Sequence, residues 1–140
     1  MKITAIENFL VDSGGRGPWL FCAIRTDAGI TGYGEYGQGA LYRGLPALIE
    51  DMSRSLIGTD PLPVDKIFMD MYRHRRAETG GATAMAMAGI ELALWDIKGK
   101  YHGVPVYSLV GRFGYPASCR PEKRIPAPGY CQAKCPRQGG

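Results

Sequence analysis

The apolar residues of this chain change their spacing once, near residue 41, and that change limits the fold more than any other feature. In the first third they follow a period of two. Ile3, Ala5, Glu7, Phe9 and Val11 alternate with Thr4, Ile6, Asn8 and Leu10, as expected of a strand. Ser13-Gly14-Gly15-Arg16-Gly17-Pro18 then reads as a loop by its Gly and Pro content. A second strand is predicted from about Trp19 to Thr26 and a third from about Ile30 to Tyr36. Asp27-Ala28-Gly29 makes a hairpin connection between them, with Gly29 free to take the left-handed conformation. From Leu41 the period is helical. Leu45, Leu48, Ile49, Met52 and Leu56 share one helix face, and Gly58 can terminate that helix. Asp60-Pro61-Leu62-Pro63 is a linker turn, after which Val64, Ile67, Phe68 and Met71 stripe a second helix ending near Arg73-His74-Arg75-Arg76. Gly80-Gly81 precedes a long third helix, about Ala82 to Lys100, closed by Gly103 and Pro105. Strands followed by helices predict an α+β fold: a three-stranded antiparallel meander followed by a three-helix bundle.

The net charge of +4 is unevenly placed. Residues 1–111 carry 11 Lys+Arg against 12 Asp+Glu, whereas residues 112–140 carry six basic residues and one acid, Glu122. That tail also holds five of the ten prolines and three of the four cysteines, with Phe113 and Ile125 as its large apolar anchors. Such a composition buries too little to offset ordering entropy, so the tail is expected to be largely disordered. The chain is thus divided into a domain over 1–111 and a Pro/Arg/Cys-rich tail over 112–140. Its scattered charges lack the blocks of a nucleic-acid arm, and no nucleic-acid partner is expected. No run of about 18 apolar residues could span a membrane, and the N-terminus lacks the apolar core of a secretory signal. A cytoplasmic location is the default expectation.

Several motifs invite chemistry and favour a plainer role. Gly32-Tyr33-Gly34-Glu35-Tyr36-Gly37 spells G-x-G-x-x-G, yet it falls in the third strand of a meander with no βαβ unit around it, so nucleotide binding is not expected. Cys119, Cys131 and Cys135 lack a fourth ligand for zinc, and Cys22 reads as a small buried residue of a strand. The cations at Arg73–Arg76 suit a helix C-terminus. Asp96 and Glu91 stand among Ala86, Ala88, Gly89, Ala93 and Gly99, whose small size lets another element approach closely. An acid in that setting is expected to hydrogen-bond across the contact.

The run Ala86-Met87-Ala88-Gly89-Ile90-Glu91-Leu92-Ala93-Leu94-Trp95-Asp96-Ile97-Lys98-Gly99-Lys100, followed by Gly103-Val104-Pro105-Val106-Tyr107-Ser108-Leu109-Val110-Gly111, resembles the N-terminal domain of the mandelate racemase/muconate lactonizing enzyme family. That family belongs to the enolase superfamily. Thr26–Glu35 and Ile57–Pro61 resemble further family landmarks in the right order, and Gly80-Gly81 with Asp70–Arg73 resembles the sugar-acid dehydratase branch. The resemblance covers residues 1–111. It implies a lid domain on a separate C-terminal barrel that supplies Asp/Glu ligands for Mg²⁺ and Lys or His bases. Together these remove the proton α to a carboxylate and stabilise the enediolate. By position, the loop Asp12–Trp19 matches the lid's first specificity loop. There Arg16 is the residue suited to a substrate carboxylate and Trp19 the one suited to wall a pocket. A second lid loop would run near Tyr36–Arg43.

At 140 residues the chain is too short for such a barrel. No catalytic residue, metal ligand or cofactor is therefore assigned to it, Mg²⁺ belonging to the intact family enzyme, and the isolated chain is expected to be inactive. The break at residue 112 suggests an out-of-frame or truncated tail joined to a genuine lid. The expected partners are a missing or separate barrel domain and a second copy bound through the exposed lid face, with a small carboxylate substrate only in an intact enzyme. A different class of function, a stand-alone interaction module with the basic tail as contact arm, uses the same fold.

Overall fold

The computed structural model of the chain describes residues 1–12, 14, 17–38, 44–77 and 80–111. The expectations for the 112–140 tail, for Arg16 and for most of the second loop fall outside these residues. Three strands, β1 (Ile3–Val11), β2 (Trp19–Thr26) and β3 (Thr31–Gln38), form an antiparallel sheet in the order β1-β2-β3. The hairpin between β2 and β3 closes as expected: Gly29 takes φ +75° and its N–H donates to the Thr26 carbonyl at 3.1 Å.

Two slips in register shape the sheet. One, between Ile3 and Ala5, lets Ile3 face the core together with Ile6 and Asn8 rather than with Glu7 and Phe9. The other, between Leu20 and Phe21, leaves Tyr36 without a partner across the ladder and carries β3 on to Gln38, two residues past its expected end. On the face away from the helices, Phe9 stacks on Phe21 at 5.6 Å and meets Tyr33 edge-on at 6.2 Å.

The helices cover the other face. α1 (Leu45–Leu56) turns Leu45, Ile49, Met52 and Leu56 inward, and α2 (Val64–His74) buries Val64, Ile67 and Met71. α3 (Gly81–His102) lies along β3 and β2, touching α1 and α2 on its other side. It ends at Gly103 in the left-handed conformation, whose N–H reaches the Gly99 and Lys100 carbonyls. The sequence reading did not include α4 (Val106–Leu109), a single turn entered from Pro105. It is too short to show a helical period. Ile24, Leu45, Ile49, Ile90, Leu94 and Ile97 form the centre of one continuous core.

Candidate functional site

The position of α3 depends on the absence of side chains. A Cβ on Gly34 would overlap the Gly89 carbonyl oxygen, and one on Gly32 would overlap that of Ala93. In return, a Cβ on Gly89 would sit 2.5 Å from the Cβ of Tyr36. The glycines of the G-x-G-x-x-G run therefore serve a helix–strand seam with backbone against backbone. This accounts for Gly32 and Gly34 by packing against α3. It also gives the small residues of α3, Gly89 and Ala93, their partners Gly34 and Gly32, far upstream in the chain, which spacing along the chain did not reveal.

This seam aligns α3 antiparallel to β3, so the start of α3 meets the end of β3. Met85 and Leu45 both approach Gly37, at 3.1 and 3.3 Å from where its Cβ would be. Trp19 stands opposite Val11 on one side and Gln38 on the other, half-buried in the same end of the sheet. The end of β1, the start of β2, the end of β3 and the starts of α1 and α3 thus converge. Of the two candidate substrate residues, Trp19 is placed at this loop-bearing end, while Arg16, three positions before it, lies outside the described residues. Asp12 orders the departure from β1 by accepting the Gly14 N–H at 3.0 Å.

A polar relay among β3, β1 and α1 was not anticipated. The Tyr36 hydroxyl donates to Asn8 Oδ1 at 3.1 Å, and Asn8 Nδ2 donates to the Pro46 carbonyl at 3.2 Å. β3, β1 and the first turn of α1 are thereby tied together just where the loops depart. A polar residue at an inward strand position, Asn8, was the available signal, obscured by the register slip that turns it inward. Burial pushes the Tyr36 hydroxyl up to about 12 and the Cys22 thiol, also by burial, up to about 12. Neither group is poised to exchange a proton near neutrality. What this end offers is shape and orientation.

The other candidates fall elsewhere. Asp96 Oδ2 accepts the Tyr33 N–H across the seam, as expected of an acid there, whereas Glu91 pairs within its own helix with Trp95 Nε1. Arg75 pairs with Asp51 and Arg73 with Asp70, so part of the basic cluster joins α2 to α1 beside a cleft of about 170 Å³. Among the described residues no group of three or more His, Cys, Asp or Glu side chains is placed to hold a metal ion. No described helix is long and apolar enough to cross a membrane.

A three-stranded antiparallel meander backed by helices, with the end of β3 and the starts of β2, α1 and α3 at one end, is the class of α+β domain that the described residues define. Residues 9–111 match the mandelate racemase / muconate lactonizing enzyme N-terminal domain, and the chain belongs to that family. It is 40% identical over 111 residues to D-galactonate dehydratase of Variovorax paradoxus and 42% identical over 111 residues to that of Xanthomonas campestris. In both cases the match covers 79% of this chain and 28% of the relative. An enolase from Agrobacterium radiobacter, solved with sodium and L-malate bound, shares the fold with a TM-score of 0.74 at 29% identity, over 79% of this chain and 28% of that one. The chain thus matches less than a third of the length of its curated relatives.

Proposed function

We propose that residues 1–111 act as the lid of a Mg²⁺-dependent dehydratase that removes the proton α to the carboxylate of a sugar acid. The observation that carries this reading is the 40–42% identity to D-galactonate dehydratases over 111 residues. The L-malate in the Agrobacterium structure, a hydroxy-carboxylate, supports the substrate class. Among the described residues no cluster fits a Mg²⁺ site, and metal and bases are assigned in this reading to a domain outside residues 1–111. This chain's share is to close the pocket and exclude water, with Trp19 as wall and Arg16 as the partner of the substrate carboxylate. By itself the chain is inert.

The test is a full-length chimera in which residues 1–111 replace the matching segment of the Xanthomonas campestris D-galactonate dehydratase. Mg²⁺-dependent dehydration of a sugar acid is expected, with no turnover by the 140-residue chain alone. Arg16→Ala should raise KM about tenfold or more, the scale of a lost charge-assisted hydrogen bond. A folded chimera inactive on every sugar acid tried would overturn the reading.

A further inference from the structure

We infer that the start of α3, with the Thr83 hydroxyl, is a subsite for a carboxylate, and that it takes the acid group at the far end of a sugar diacid. The assignment to a diacid rests on the lid reading above. α3 begins with nothing of its own to answer its positive end. Its N-cap is Gly80, no side chain bonds back to the first turn, and that turn holds no acid. α1 opens the same way, from Gly44, again without a capping side chain or a first-turn acid. The two starts meet at Gly37, where Met85 Cε and Leu45 Cδ1 approach the place of its Cβ at 3.1 and 3.3 Å. Two uncapped positive helix ends thus adjoin.

Thr83, the third residue of α3, is only 7% exposed, yet its hydroxyl makes no hydrogen bond among the described residues. No polar side-chain atom sealed from solvent among those residues lacks a partner, so this hydroxyl keeps an opening through which a ligand oxygen can reach it. Helical side chains lean toward the N-terminus, which sets the hydroxyl beside the free N–H groups of the first turn. Nothing bulky blocks the approach. A Cβ added at Gly44, Gly80 or Gly81 would meet nothing within 4 Å, and Ala82 and Ala84 are exposed. A cradle of N–H groups and one hydroxyl donates to an anion and offers a cation little.

The ligand follows from where this cradle stands. The start of α3 lies at the same end of the sheet as Trp19, the wall of the pocket in the lid reading. In that reading the carboxylate beside the reacting carbon is already held by Arg16 and by the metal-bearing domain. A further carboxylate subsite therefore serves the opposite end of the substrate. An aldonate ends there in a neutral hydroxyl, whereas an aldarate ends in a second carboxylate, the group that a pair of helix starts favours.

Amide NMR of the 140-residue chain, titrated with galactarate, neutral galactitol or inorganic phosphate, tests the subsite. Galactarate should shift the Gly81, Ala82, Thr83 and Ala84 amides saturably, and galactitol should not. Thr83→Val, which keeps the shape and removes the hydroxyl, should weaken galactarate about fivefold or more. Gly80→Asp places a carboxylate at the N-cap, so it should abolish binding while raising the melting midpoint by about 2 °C or more. No saturable shift at these amides would overturn the subsite, as would undiminished binding by Gly80→Asp. Phosphate bound tenfold tighter than galactarate would overturn the diacid. In the chimera, the ratio of kcat/KM for galactarate to that for galactonate should exceed the parent enzyme's about tenfold, and Thr83→Val should reverse the gain. An unchanged ratio would also overturn the diacid. A chimera inactive on both acids, with the amide response intact, would sink the lid reading and leave the carboxylate site standing.

Discussion

The Asp96 carboxylate on α3 accepts the N–H of Tyr33 on β3 at 3.0 Å, taking the place a further strand would occupy beside this edge. Lys100 completes the substitution, donating to the Thr31 carbonyl at 2.7 Å and to Asp96 Oδ2 at 2.6 Å while lying over the Tyr33 ring. One turn of helix thus protects an exposed edge by occupying its backbone groups.

Asp96→Ala should therefore cost about 1–2 kcal/mol in urea unfolding, because it leaves the Tyr33 N–H without its acceptor and the Lys100 ammonium with the Thr31 carbonyl but no carboxylate. Asp96→Asn keeps an acceptor and should lose less. Equal stability of wild type and Asp96→Ala would show that water replaces the carboxylate without penalty.

The glycine seam is the more demanding contact. Gly34→Ala should destabilise the domain by about 3 kcal/mol or more, since the obstructing atom is the Gly89 backbone carbonyl and no side chain can rotate away. Gly80→Ser, with open space around it at the start of α3, should change stability by no more than about 0.5 kcal/mol. Denaturant midpoints of the two variants test the contrast directly.

Alkali should unfold the domain earlier than its exposed charges suggest. The folded-state values of Cys22 and Tyr36 are both raised to about 12, so the native state holds protons that the unfolded chain releases. Their contribution is fully present below about pH 8.5, the ordinary thiol value. It falls as pH rises towards about 12. Melting temperatures recorded from pH 8 upward should decline along this course, and Cys22→Ala should flatten the lower part of the decline. An unchanged profile in that variant would remove the thiol from the account.

Tyr36→Phe should cost about 1 kcal/mol by leaving Asn8 Oδ1 without its donor. Amide exchange should then rise at the first turn of α1, which Asn8 holds through Pro46. A stability loss with no local change in exchange would confine the relay to packing.

The meander was legible because period-two alternation and Asp27-Ala28-Gly29 are local signals, and α1 and α2 because each turns one apolar stripe inward. α3 announced its existence through length, but its apolar residues surround the helix, so its rotation could not be read. Fixing that rotation required Gly32 and Gly34, whose partners Gly89 and Ala93 are distant in the chain. Asn8 was hidden by a slip in register, and α4 by having a single turn. Trp19 could be assigned to a loop end from sequence, but the convergence of that end with Gly37, Leu45 and Met85 is a product of packing.

Because the tightest contacts of the seam between α3 and β3 are on backbone carbonyls, at Gly34 against Gly89 and Gly32 against Ala93, helix and strand behave as a single stiff beam. α3 has 22 residues and is about 33 Å long, so tilting it by about 3° at α4 carries its other end roughly 1.7 Å. That end abuts the exit of β3 and the start of α1. A force applied where the chain leaves the domain is therefore felt at the loops as displacement, with the glycines as the welded joint between handle and tip.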